Sequence, residues 1–194
     1  MTVLIPFASL EASSWKNGGG STTEIAISPP LAEQGSFDWR ISLATIASSG
    51  PFSVFAGIDR TLALVDGPGV TLDIDGDSRF VLGDEDPVLE FAGESQVVAT
   101  VGALPTTDFN VMTRRASCRH QLGKRSLSGT SGFATRADVT VLFLAEGESL
   151  EVSSDDERIG MVRYDAVLFE GESVWTLEAG QATIFIVDIY FNQD

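Results

Sequence analysis

Apolar residues recur along this chain mostly at every second position. In residues 37–46 the side chains of Trp39, Ile41 and Leu43 alternate with Arg40, Ser42 and Ala44. The same alternation runs through 70–75 and 150–153, and the runs at 140–144 and 183–191 are β-branched and aromatic. A period of two is the spacing of side chains on one face of a strand. Breaks rich in Gly, Asp and Glu separate the runs, at 66–69, 75–77, 82–87, 92–94 and 146–148. Short strands between such turn signals predict an all-β sandwich or barrel. Little helix is expected: residues 29–35 could hold one turn, and Pro51 opposes a long helix around it.

An internal repeat sharpens the prediction. Sliding the chain by 78 residues lays 69–102 on 147–180 without a gap. Gly69, Leu72 and Asp77 fall on Gly147, Leu150 and Asp155. Phe-Ala-Gly-Glu-Ser at 91–95 falls on Phe-Glu-Gly-Glu-Ser at 169–173, and Gly102 falls on Gly180. Each copy reads as strand, turn, strand, the Phe-x-Gly-Glu-Ser motif, a further strand and a glycine turn. Gly93 and Gly171 suit the turn, with Phe91 and Phe169 as apolar anchors before it. A duplicated antiparallel unit of this size fits a jelly-roll barrel. The expected division is a first barrel over 1–113, a basic polar join over 114–132 and an abbreviated second barrel over 133–194.

The 194 residues are enough for a buried core, and 43% of them are hydrophobic, so the chain does not read as disordered. Twenty-eight Asp and Glu against 12 Lys and Arg give a net charge of −16. That balance argues against general nucleic-acid binding and against docking on anionic membranes. No run is long and apolar enough to span a bilayer, and the start has no basic signal-like region. Cys118 is the only cysteine and His120 the only histidine. Internal disulfides and multi-histidine metal sites are thereby excluded, and a reducing cytoplasm is the expected compartment. Cys118 has cationic neighbours of the kind that lower a thiol pKa, but no base partner is evident for it.

Four segments could carry chemistry. Trp15-Lys-Asn-Gly-Gly-Gly-Ser-Thr-Thr-Glu24 combines a glycine loop with Lys16 and Asn17, which suit an anion or an amide. Its spacing is not that of a nucleotide-binding loop. The loop is otherwise a hairpin entry anchored by Trp15, with Thr22, Glu24 and Ala26 expected on one face of the next strand. Arg40 and Ser42 share a strand face, which either looks outward or lines a barrel interior. Asp59 and Arg60 end a strand; they either pair with each other or leave Arg60 at a pocket mouth. Asn110, Met112 and Arg114 share a face, which suits a pocket wall or an edge strand leading into the basic segment.

These motifs, taken together and in this order, resemble those of the HutD/Ves family. The resemblance implies a cupin-type, RmlC-like double-stranded β-helix, a bicupin with two β-barrel halves. It implies an accessory or regulatory protein of histidine utilisation that binds a small anionic intermediate such as N-formylglutamate or urocanate. It implies ligand-binding roles for Asn17, Thr23, Glu24, Arg40, Ser42, Arg60, Asn110, Met112 and Arg114. Metal-dependent cupins use a His-rich motif, and this chain has no His before His120. No metal or cofactor is therefore expected. Arg40, Arg60 or Arg114 suit a carboxylate through bidentate bonds. The alternative is a metal-free epimerase or hydrolase of a small carboxylated substrate, with Glu24 or Lys16 as acid or base. A protein adaptor role and homodimerisation through an edge strand are further expectations.

Overall fold

Alternation and Gly-rich breaks produce strands throughout. The structure, a computed structural model, describes residues 1–30, 36–83 and 87–192. Much of the helical turn expected over 29–35, and the middle of the 82–87 turn, lie outside the described residues. The strands are β1 (Thr2–Ile5), β2 (Ala12–Ser14), β3 (Gly20–Ser28), β4 (Trp39–Ile46), β5 (Gly50–Pro51), β6 (Ile58–Asp66), β7 (Val70–Ile74), β8 (Ser78–Leu82) and β9 (Val88–Ala92). They continue with β10 (Val97–Thr100), β11 (Thr106–Arg114), β12 (Cys118–Thr135), β13 (Val139–Gly147), β14 (Ser149–Ser153), β15 (Arg158–Val162), β16 (Ala166–Glu170) and β17 (Ser173–Phe191). No helix among the described residues is long and apolar enough to cross a membrane.

Two compact units divide the chain: residues 11–118, and residues 1–10 with 119–194. This differs from the expected division at both ends. The first ten residues belong with the C-terminal unit because β1 pairs antiparallel with β16. The expected polar join is largely strand, because β12 pairs with β17 and its Leu127 and Phe133 are buried in the core of the C-terminal unit. Two apolar anchors of the same parity dock a strand whose other residues are mostly polar and solvated.

In the N-terminal unit a six-stranded sheet, in order β2-β3-β4-β11-β6-β9, accompanies a four-stranded sheet, β5-β10-β7-β8. Ile46 and Leu62 from the first and Val70, Leu72, Leu82, Val97 and Ala99 from the second form one core cluster. Both faces of β4 and β11 are largely buried, so the alternation there separates two interior environments rather than core from water.

The C-terminal unit has one seven-stranded sheet, with β1-β16-β13-β17-β14-β15 as its path and β12 on β17. β17 pairs β14 through 176–178 and β13 through 182–189, so one long strand serves both parts of the sheet. The repeat is visible in the pairing. Phe109 pairs with Ala63, and 78 residues on, Val187 pairs with Val141. β9 and β16 occupy matching positions in the repeat. Gly171 adopts φ +75, as a turn glycine does. Gly93 is constrained differently: a Cβ there would lie 2.7 Å from the Phe55 carbonyl oxygen and 2.9 Å from that of Ile58.

One buried carboxylate ties the start of the chain into its unit. Asp165 is 5% exposed; its Oδ1 accepts the Phe7 N–H at 2.8 Å and its Oδ2 the Val162 N–H at 2.9 Å. Asp165→Ala is expected to lower unfolding free energy by about 2–4 kcal/mol, since two donors lose a charged acceptor. Asp165→Asn should cost less. Chemical denaturation of the two variants checks the order.

Candidate functional site

The inner face of the six-stranded sheet is set by its register. One row across it is Ile27, Arg40, Met112, Arg60 and Phe91. The next is Glu24, Ser42, Asn110, Leu62 and Leu89, and the third is Thr22, Ala44, Asp108 and Leu64. Strict alternation along β3 would put Ala26 on this face. A bulge between Glu24 and Ala26 changes the parity, and Ile27 takes the place instead.

Ile27, Arg40, Met112 and Arg60 of the first row, Glu24 and Asn110 of the second, and Thr22, Ala44 and Asp108 of the third line a cavity of about 650 Å³. Phe52 and Phe55, from the segment after β5, and Trp15, Lys16 and Asn17, from the glycine loop, also line it. The loop is ordered by its own bonds. Asn17 Oδ1 accepts the Gly19 N–H at 2.9 Å, and the Trp15 indole N–H donates to Thr22 Oγ1 at 2.8 Å.

Arg60 is the buried cation of this cavity, at 7% exposure. Its guanidinium carbon lies 5.0 Å from the Phe91 ring centroid, 5.3 Å from Phe52 and 5.8 Å from Phe55. Nη2 donates to Asn110 Oδ1 at 3.4 Å, while Nε is buried without a partner. Burial pulls the Arg60 pKa down to about 10, with Asp108 opposing and Arg40 adding to the shift. It stays a cation at neutral pH. Asp108 is 2% exposed with Oδ1 unpartnered, and burial pushes its pKa up to about 7 against the pull of Arg60. Arg40 is more exposed and donates from Nε to Glu24 Oε2 at 3.0 Å.

The motif at 91–95 holds the aromatic side of this arrangement. The Gly93 N–H donates to the Ile58 carbonyl and the Phe55 N–H to the Gly93 carbonyl, both at 2.7 Å. Arg115 clamps the same region, donating to Asp59 Oδ1 at 2.6 Å, to the Ile58 carbonyl at 3.2 Å and to Glu94. Asp59 therefore pairs with Arg115, not with Arg60; alternation along β6 puts the two neighbours on opposite faces.

Of the nine residues implied as ligand-binding, Asn17, Glu24, Arg40, Arg60, Asn110 and Met112 line the cavity. Thr23, Ser42 and Arg114 do not. Thr23 has the parity opposite to Thr22 and Glu24 on β3. Ser42 has the inner parity but is wholly buried. Arg114 lies at the end of β11, where its Nε donates to the Phe37 carbonyl at 3.1 Å. Asp108, Phe52 and Phe55 are additions to the implied set. Asp108 has the parity of Asn110 and Met112 two and four residues later, which is the signal that reveals it.

One further expectation changes. The Cys118 thiol is not activated: burial and Asp38 push its pKa up to about 11, and it donates to the Asp38 carbonyl at 3.3 Å. Arg119, in β12, lies over the Tyr190 ring at 4.4 Å. Metal chemistry does not fit the cavity either. It is lined by two carboxylates and no His or Cys, Glu24 is paired with Arg40, and no cluster of three such ligands occurs among the described residues.

The shifted carboxylate has a thermodynamic signature. Asp108 titrates near 3.8 when unfolded and near 7 when folded. Between those values the folded state holds more protons, so this group's contribution to stability falls as pH rises. Asp108→Asn removes that loss. The variant should gain on the wild type by about 2–4 kcal/mol between about pH 4 and about pH 8, read from denaturant midpoints.

The comparisons agree with this architecture. The HutD family model matches residues 8–186. An uncharacterised 21.2 kDa protein in the hutC 3′ region of Pseudomonas putida is 37% identical over 160 residues, 81% of this chain and 80% of that protein. Protein Ves of Cronobacter sakazakii is 42% identical over 130 residues, 66% of this chain and 69% of that protein. The structure of HutD from Pseudomonas fluorescens SBW25 superposes with a TM-score of 0.82, covering both chains completely at 25% identity. Salicylate 1,2-dioxygenase from Pseudaminobacter salicylatoxidans, at 9% identity, shares the fold alone. Its TM-score is 0.63, with 97% of this chain and 83% of that one covered. Neighbours of that kind are cupin-like, and with the family model spanning almost the whole sequence, the chain belongs to the HutD family.

Proposed function

We propose that this protein is a non-enzymatic accessory of histidine utilisation that binds a small anionic carboxylate in the cavity of residues 11–118. The HutD family and the hutC-region relative support the pathway association. The observation that carries the binding reading is Arg60: a guanidinium at 7% exposure, lining a cavity, with Nε unpartnered. A buried cation with a free donor favours an anionic acceptor, and a planar carboxylate matches its geometry. Lys16 and Arg40 supply further cations for a second carboxylate. N-formylglutamate and urocanate are the candidate ligands.

The two halves are read as a bicupin that arose by duplication and then diverged. In the C-terminal half the positions matching Arg60, Asp108 and Asn110, 78 residues on, hold Asp138, Ile186 and Asp188. Its interior is closed by Phe133, Phe169, Trp175 and aliphatic neighbours. Binding belongs to the N-terminal half, and the protein acts in the cytoplasm by sequestering or sensing the intermediate.

Titration calorimetry with N-formylglutamate, urocanate and glutamate tests this. At least one should bind with a dissociation constant below about 1 mM, and Arg60→Met should weaken it by about 100-fold, since a bond to a charged partner is lost. No heat from any of the three up to millimolar concentration overturns the reading.

A further inference from the structure

We propose that residues 52–55 form an aromatic strap that gates the cavity: it lifts from Arg60 to admit an anion and closes over it once the anion is bound. The inference rests on the carboxylate-binding reading above and names how access to that site is regulated.

Arg60 lines the cavity, yet it is 7% exposed and its Nε is sealed from solvent. An anion reaches that donor only if something over it moves. Much of the cover is fixed. Phe91 lies on β9, paired along its length with β6, and Asn110 and Met112 lie on β11, paired on both sides. Phe52 and Phe55 differ. They sit between β5 and β6, outside any strand, with ring centroids 5.3 and 5.8 Å from the Arg60 guanidinium carbon.

The strap is tied near its two ends. The Phe52 N–H donates to the Val97 carbonyl at 2.8 Å and the Phe55 N–H to the Gly93 carbonyl at 2.7 Å. Between these ties Ser53 and Val54 are exposed, Val54 at 57%. The foot of the strap is anchored separately. Arg115 donates from its backbone N–H to the Gly57 carbonyl at 3.0 Å and from its side chain to the Ile58 carbonyl at 3.2 Å. Gly57, at φ +73 with open space where a Cβ would lie, supplies a pivot between foot and strap. Lifting therefore costs two backbone bonds and the contact of two rings with a cation, while the strands of the wall stay paired. Closed again over a carboxylate, the rings exclude water, which strengthens the attraction between the anion and Arg60.

Phenylglyoxal, which attacks neutral guanidine, tests the cover on the full chain, with the modified arginines read by peptide mass mapping. The lowered pKa of Arg60 makes it the more reactive of two equally accessible arginines, so slow modification reports the strap. Arg60 should react at least about 20-fold more slowly than the exposed Arg136. Val54→Gly loosens the strap from its exposed side and should speed Arg60 by about 3- to 5-fold. The buried Cys118 thiol of the same unit should keep its reactivity towards a disulfide reagent. Ala56→Gly, also at an exposed position, gives the same reading where Val54→Gly does not fold. At about 10 mM, at least one of N-formylglutamate, urocanate and glutamate should slow Arg60 by about 10-fold. Arg60 reacting as fast as Arg136 in the wild type overturns the gate. So does a rate that neither variant changes, or one that rises only in step with Cys118. Strap effects without protection by any of the three anions overturn the carboxylate reading and the gate with it. Protection without strap effects overturns the gate alone.

Discussion

The arrangement depends on keeping one guanidinium out of water. Burying Arg60 costs desolvation, visible in its lowered pKa. Three phenylalanine rings within 6 Å offset part of that cost through their negative faces. Asn110 supplies one acceptor, and Asp108 supplies opposite charge. None of these partners is local in sequence. Phe52 and Phe55 come from the segment after β5, Phe91 from β9, and Asp108 and Asn110 from β11. The turn at Gly93 and the clamp of Arg115 exist in the places that bring them together.

The two halves show how far side chains can diverge on a kept backbone. The pairing of β6 with β11 recurs, 78 residues later, in the pairing of β13 with β17. In one half the inner face leaves a cavity with charged walls. In the other, Leu142, Leu144, Ile184 and Trp175 fill the space. A filled interior is stabilised by burial and packing. A hollow one with unpartnered polar atoms gives up some of that stability, which is the usual mark of a binding site.

Much of the architecture was legible because alternation and turn residues report directly on strands. The repeat was legible for the same reason: its glycines and its Phe-x-Gly-Glu-Ser motif mark positions where the backbone itself is constrained. The limits were equally physical. The bulge in β3 shifts parity by one residue and leaves no signature in Thr-Glu-Ile-Ala-Ile. The destination of β1 depends on a partner more than 160 positions away, which no local pattern encodes. Arg40 was ambiguous between an outer and an inner face because β4 is largely buried on both. Asp108 keeps step with Asn110 and Met112 along β11. An acid in a strand reads as surface until its burial is known. Arg114 failed for the converse reason: parity placed it correctly, but β11 ends there.

The pairing of β1 with β16 carries a consequence for how the chain is made. Residues 2–5 leave the ribosome more than 160 positions ahead of their partners at 166–169. The segment 11–118 can complete its sheets in between, as its strands pair only with one another. During that interval Val3 and Leu4 have no edge to pair with, and a non-local closure of this kind is slow. Synthesis therefore favours an order in which the cavity-bearing unit is finished while β1 still waits for β16, and premature termination after β11 would leave the cavity-bearing sheets whole.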